Sequence, residues 1–188
     1  MTASIDQVLE KLEGLYRDWS ISPPDWYLCE GWALRLQGYD TKKGMKELST
    51  VVLEDKLPWK PRHGYQDKFP GLITVPPQDS KEMLDFTKFM KSMECDLRIH
   101  PVGREFFQSP KIEYKLLDGK VVYLMPVLEL VDLYGWLIIK YKELGDNEWM
   151  QNKGVLGYIQ DIKNNAEQKG EIQISKSCEE ILKKYSKS

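Results

Sequence analysis

The sequence predicts an α+β fold: a small sheet with helices over residues 1–126, then a helical part over 127–188. Three observations carry this. "ELSTVVLE", from Glu47, is a β-branched run of strand character. "IEYKLLDGKVVYLMP" reads as a β-hairpin with Asp118-Gly119 at its turn. Residues 127–144, "VLELVDLYGWLIIKYKEL", open a helical stretch.

Each element follows from local chemistry. Ser4 caps a first helix over 5–18, with Ile5, Val8, Leu9, Leu12, Leu15 and Tyr16 on one face. Pro23 and Pro24 then oppose helix. "WYLC" is a short extended piece, and Gly31 turns the chain into a helix that ends near Gly38. After the strand at Glu47, residues 54–78 hold five prolines and form a long loop. Asp79 or Ser80 caps a helix, "KEMLDFTKFMKSM", with Met83, Leu84, Phe86, Thr87 and Met90 inward. "ECDLRIHPV" alternates with period two, as a strand does. Past the hairpin, the stripe Leu128, Val131, Leu133, Trp136, Ile138 and Ile139 is expected in the core. Two more helices are expected at about 148–168 and 176–186, the last a solvated amphipathic helix or a partner contact.

Composition narrows the function. Of 188 residues, 41% are apolar and 30% charged, with a net charge of −2. That balance suits a globular protein and offers no large basic field for nucleic acid. No apolar run approaches the roughly 18–20 residues that span a bilayer. The opening "MTASIDQVLEKLEGL" does not read as a signal peptide. Cys29, Cys95 and Cys178 are widely spaced and odd in number, which suits reduced thiols in the cytoplasm. No spacing suggests zinc.

Chemistry is expected around Glu47. Residues i and i+2 of a strand share a face, so Glu47, Ser49 and Val51 lie together, opposite Leu48, Thr50 and Val52. Two acids at such positions hold divalent ions. Here one position is an acid and the other a serine.

The stretch "EGWALRLQGYDTK", followed by "KELSTVV", resembles the start of the nucleotidyltransferase superfamily, nearest the aminoglycoside and lincosamide nucleotidyltransferases. That group reads glycine-glycine-tryptophan-alanine-leucine, then a glycine and a threonine-arginine pair, then an acid-apolar-acid strand. Trp32, Ala33, Leu34, Gly38, Thr41 and Lys42 match. "DLRIHPV" resembles the later strand that carries a third acid, and "YLMPVLELVDLYGWLIIKYKE" the helix opening the C-terminal part. The resemblance implies a small mixed sheet flanked by helices. It implies nucleotide contacts at Gly31, Trp32, Ser49 and Arg98, and catalytic and metal-holding roles for Glu47 and Asp96. It also implies Mg²⁺ if the protein is active and no cofactor otherwise.

The departures from the pattern are specific. Glu30 replaces the first glycine, Glu47 stands for aspartate, and Ser49 replaces the second acid. For the third acid two registers stay open. One puts Arg98 there, the other Asp96. A serine is a poor Mg²⁺ ligand, and a guanidinium binds anions instead of cations. The expectation is therefore a nucleotidyltransferase-like protein with an eroded metal site, binding a nucleotide or small anion or acting as a regulator. The alternative is an active enzyme moving a nucleoside monophosphate from a nucleoside triphosphate to a hydroxyl. Around His63, the residues Lys60, Arg62 and Lys68 read as a solvated loop, with a cationic lid as the alternative. Trp59, Tyr65 and Phe69 read as aromatics packing that loop onto the domain, with base stacking as the alternative, and His100 as the cap of a strand end, with a catalytic role as the alternative.

Overall fold

A computed structural model describes residues 4–40, 47–58, 81–102, 104, 111–143 and 155–185. Among these residues twelve segments follow in order: α1 (Ile5–Asp18), β1 (Trp26–Cys29), α2 (Glu30–Leu36), β2 (Glu47–Leu53), a 3-10 turn (Glu54–Lys56), α3 (Lys81–Ser92), β3 (Asp96–Val102), β4 (Ile112–Lys115), β5 (Val121–Leu124), α4 (Val127–Glu143), α5 (Val155–Lys169) and α6 (Ile172–Tyr185). The fold is α+β, as the sequence predicts. The chain divides into two compact units, Met1–Trp32 with Met45–Met125, and Ala33–Gly44 with Pro126–Ser188.

The first unit is built on a mixed sheet of order β3-β2-β1-β5-β4. β1 runs antiparallel to β2, and β2 runs parallel to β3. A parallel pair needs a crossover, and α3 supplies its helix. The β-branched run from Glu47 and the alternating run "DLRIHPV" are thus neighbours in one sheet. On the other side β5 runs parallel to β1 and antiparallel to β4.

α1 starts where expected. The Ser4 hydroxyl accepts from Gln7 N at 3.2 Å, and Gln7 Oε1 accepts from Ser4 N at 2.9 Å, a reciprocal capping box. Its face of Val8, Leu9, Leu12, Leu15 and Tyr16 is buried. Tyr16 reaches the sheet: its hydroxyl lies 2.5 Å from Thr50 Oγ1, and its ring packs 4.7 Å from Trp26. The hairpin turn is also as expected. Gly119 carries a φ of +84°, Leu116 N donates to Lys120 O at 2.8 Å, and Asp118 Oδ1 accepts from Lys120 N at 3.0 Å.

The second unit holds α4, α5 and α6 with the chain around Tyr39. Gly135 permits close packing within it, since a Cβ there would lie 3.1 Å from Ile181 Cδ1. Asn165 clamps Asp40 through both backbone groups, accepting from N at 3.0 Å and donating to O at 2.8 Å. Lys169 Nζ donates to Gln37 O at 2.8 Å and sits 4.0 Å over the Tyr39 ring.

Several expectations are corrected. Leu84 is 40% exposed, so α3 buries Met83, Phe86 and Met90 instead of the full expected set, and Thr87 is half-buried. On α4 Trp136 and Ile139 are each 39% exposed, and Leu128 and Leu133 are half-buried. The buried stripe is Val127, Leu130, Val131, Tyr134, Leu137 and Ile138. The helix is apolar nearly all round, so composition does not choose a face, whereas the three-to-four residue spacing does. α6 starts at Ile172, earlier than expected, because Gly170 in the left-handed region (φ +72°) ends α5 and the next helix follows at once. His100 lies inside β3 and caps no strand end. The loop side chains Trp59, Lys60, Arg62, His63, Tyr65, Lys68 and Phe69, and the caps Asp79 and Ser80, lie outside the described residues, as do 148–154 of the penultimate helix.

Candidate functional site

Residues opposite one another on neighbouring strands project from the same face. The register pairs Glu47 with Asp96, Ser49 with Arg98 and Val51 with His100. It also pairs Cys29 with Ser49 and Tyr27 with Val51. One face therefore carries Glu47, Ser49, Asp96, Arg98 and Cys29. The opposite face carries Leu48, Thr50, Val52, Ile99 and Leu28, and Tyr16 of α1 bonds to it at Thr50. Asp96 and Arg98, the two residues left open for the third acid, both fall on the Glu47 face.

Their side chains are already engaged. The Arg98 guanidinium forms an ion pair with the Glu47 carboxylate, with the two side chains 38% and 42% exposed. The Ser49 hydroxyl, in a fully buried residue, donates to Glu30 Oε2. Asp96 is exposed at the start of β3, directly across from Glu47. At this end of the sheet Arg98 thus pairs with Glu47, Ser49 bonds to Glu30, and Asp96 stands in register with Glu47.

The turn before α2 is decided by Glu30. Its φ is +54°, in the left-handed region that favours glycine. Gly31 carries no such φ, and a Cβ there would meet nothing within 4 Å. The conformational demand falls on the glutamate. Trp32 is buried with its indole beside the Cys95 thiol, so its ring belongs to the core and offers no stacking surface. α2 spans seven residues, a short source of helix dipole for an anion.

Burial keeps the Cys29 and Cys95 thiols in their protonated form. Burial pushes Cys29 well above its ordinary value, and the Glu30 charge adds to the shift. Burial pushes Cys95 to about 11, opposed by the polar Leu48 backbone and the nearby Trp32 indole and reinforced by the Asp96 and Glu47 charges. Both stay protonated at neutral pH and lack the reactive thiolate.

Mg²⁺ fits this donor set poorly. Glu47 and Asp96 offer adjacent carboxylates, but a guanidinium already sits on one of them, and the next position along is a neutral hydroxyl bound elsewhere. Among the described residues no group of three His, Cys, Asp or Glu side chains is placed to hold a metal. No described helix is long and apolar enough to cross a membrane.

One cation on this face escaped the sequence reading. Lys111 Nζ lies 4.1 Å above the ring of Tyr27, which shares the face with Ser49. Extending the strand alternation of Glu113 and Lys115 back by one step would have placed Lys111 there. No family model, curated protein or solved structure matches the chain.

Proposed function

We propose that the chain is a nucleotidyltransferase-like protein in which an internal ion pair stands where that group holds a metal. On this reading it binds a nucleotide or small anion, or regulates a partner, without transferring a nucleotide. The observation that carries it is the pairing of Arg98 with Glu47. A guanidinium on the face where metal-holding acids are expected supplies a fixed positive charge and repels a second one. The glutamate in left-handed backbone supports the resemblance itself: Glu30 replaces the group's first glycine, and the backbone there adopts the conformation glycine supplies.

A second reading has its own support. Glu47 and Asp96 stand side by side at the start of two parallel strands, which favours a transferase that recruits its metal with the nucleotide. Calorimetric titration of ATP, with Mg²⁺ and with EDTA, separates the two. The first reading expects an affinity that changes little with Mg²⁺ and weakens in Arg98→Ala. Tightening of tenfold or more by Mg²⁺ restores the transferase. No binding in either buffer removes the nucleotide from both readings.

A further inference from the structure

β4 lies at the outer edge of the sheet. Among the described residues its one strand neighbour is β5. Leu116 N donates to Lys120 O, so residue 116 turns its backbone groups toward β5. By alternation 112 and 114 do the same, while Glu113 and Lys115 turn theirs to the open side. Both residues are exposed, and among the described residues neither has an ion-pair partner. The opposite edge differs: β3 contains Pro101, which lacks an N–H donor and blunts an edge.

An antiparallel partner must match outward-turned residues to outward-turned residues. Self-pairing then has three short registers. Two set Glu113 against Glu113 or Lys115 against Lys115, and like charges directly opposite are unfavourable. The third centres on Tyr114 and sets each Glu113 against a Lys115. We propose that a second copy of the chain docks here, β4 against β4, with Glu113 of each copy facing Lys115 of the other and the two sheets joined across a twofold axis. The strand pattern is self-complementary, which an isologous contact requires. Ile112 and Leu117, 41% and 84% exposed, flank the edge and supply apolar surface that the contact covers. With a strand of only four residues, the association is weak.

Sedimentation of the full chain across a wide concentration range, at low and high salt, tests this. Expected is a monomer–dimer equilibrium that salt weakens, because the charge pairs are exposed. Lys115→Glu and Glu113→Lys each turn two attractive pairs into two repulsive ones and weaken the dimer about tenfold or more. The combined swap Glu113→Lys/Lys115→Glu restores it, which also shows that the variants fold. A wild type that stays monomeric at every concentration overturns the proposal. So does a dimer indifferent to the single reversals, or a swap that fails to rescue.

Discussion

Arg98 of β3 reaches diagonally across the strand pair to the carboxylate of Glu47, past its own register partner Ser49. The contact is open to water, with 38% and 42% of the two side chains exposed. Exposed pairs contribute about 0–1 kcal/mol, because solvent screens the charges and ordering two long side chains costs entropy. The pair is therefore weak and opens at little cost. We predict that Arg98→Ala lowers stability by less than about 1 kcal/mol. Urea midpoints check this. A loss of roughly 3 kcal/mol or more would mark the behaviour of a buried pair.

Glu30 holds a left-handed backbone and accepts from buried Ser49. These two facts oppose each other under mutation. Glycine relieves about 1–2 kcal/mol of steric cost at a positive φ, but it also frees the unfolded chain by about 0.4–1 kcal/mol. It leaves the Ser49 hydroxyl without its carboxylate, a loss of about 1–3 kcal/mol. We predict that Glu30→Gly is destabilising in the wild type and neutral or stabilising in a Ser49→Ala background. A double-mutant cycle measures the coupling, expected at about 1–2 kcal/mol. Strict additivity would mean that the two side chains do not depend on each other.

Local signals were legible in the sequence. Ser4 marked the start of α1, and Asp118-Gly119 marked the hairpin, because caps and turns are settled by a few neighbouring residues. The adjacency of β2 and β3 was expected from a β-branched run and an alternating run read through the resemblance, and the two strands do pair. What required the structure was non-local. A diagonal reach from Arg98 to Glu47 depends on the register of two strands about fifty residues apart in the chain. The α4 face was misread because the expected stripe followed apolar composition and not the three-to-four residue spacing that the buried residues Val127, Leu130, Val131, Tyr134, Leu137 and Ile138 keep. Glu30 was noticed as a charge, but its left-handed backbone was not, since glutamate gives no sign of a positive φ.

The buried thiols give the protein an alkaline weakness. Cys95 is raised from 9.0 to about 11 and Cys178 from 9.0 to about 12, both chiefly by burial. A thiol whose folded value lies above its unfolded one binds its proton more tightly when folded. Its contribution is then complete below pH 9 and declines as the pH rises through the folded values. We predict a urea midpoint that these thiols leave unchanged from neutral pH to about 9 and lower progressively toward pH 11. Replacing Cys95 with alanine should flatten part of that decline, whatever it does to stability at neutral pH. An alkaline limb unchanged by the replacement would assign the decline to other groups.

Placing an acid at position 49 is the sharpest test of the proposed site. Ser49 is fully buried, and its hydroxyl already meets the Glu30 carboxylate. Ser49→Asp therefore adds a carboxylate in contact with another carboxylate and across from Arg98. Two like charges so placed do not both ionise without large cost. We predict that the variant is destabilised in EDTA by several kcal/mol, on the order of the 3–5 kcal/mol of an uncompensated buried charge. A divalent cation bridging the new carboxylate and its neighbours offsets that repulsion, so millimolar Mg²⁺ should raise the melting temperature of the variant. Wild type, with Arg98 on Glu47, should show no such rise. Adding Arg98→Ala to Ser49→Asp frees Glu47 and removes the competing cation, and the Mg²⁺ response should grow further. Thermal unfolding of the three proteins, with EDTA and with Mg²⁺, reads all of this at once. A Mg²⁺-dependent rise in the wild type would show that the ion pair opens for a metal and would favour the active transferase. A Ser49→Asp variant that melts lower and ignores Mg²⁺ would mean that this end of the sheet cannot gather ligands around a cation, even with the acid in place.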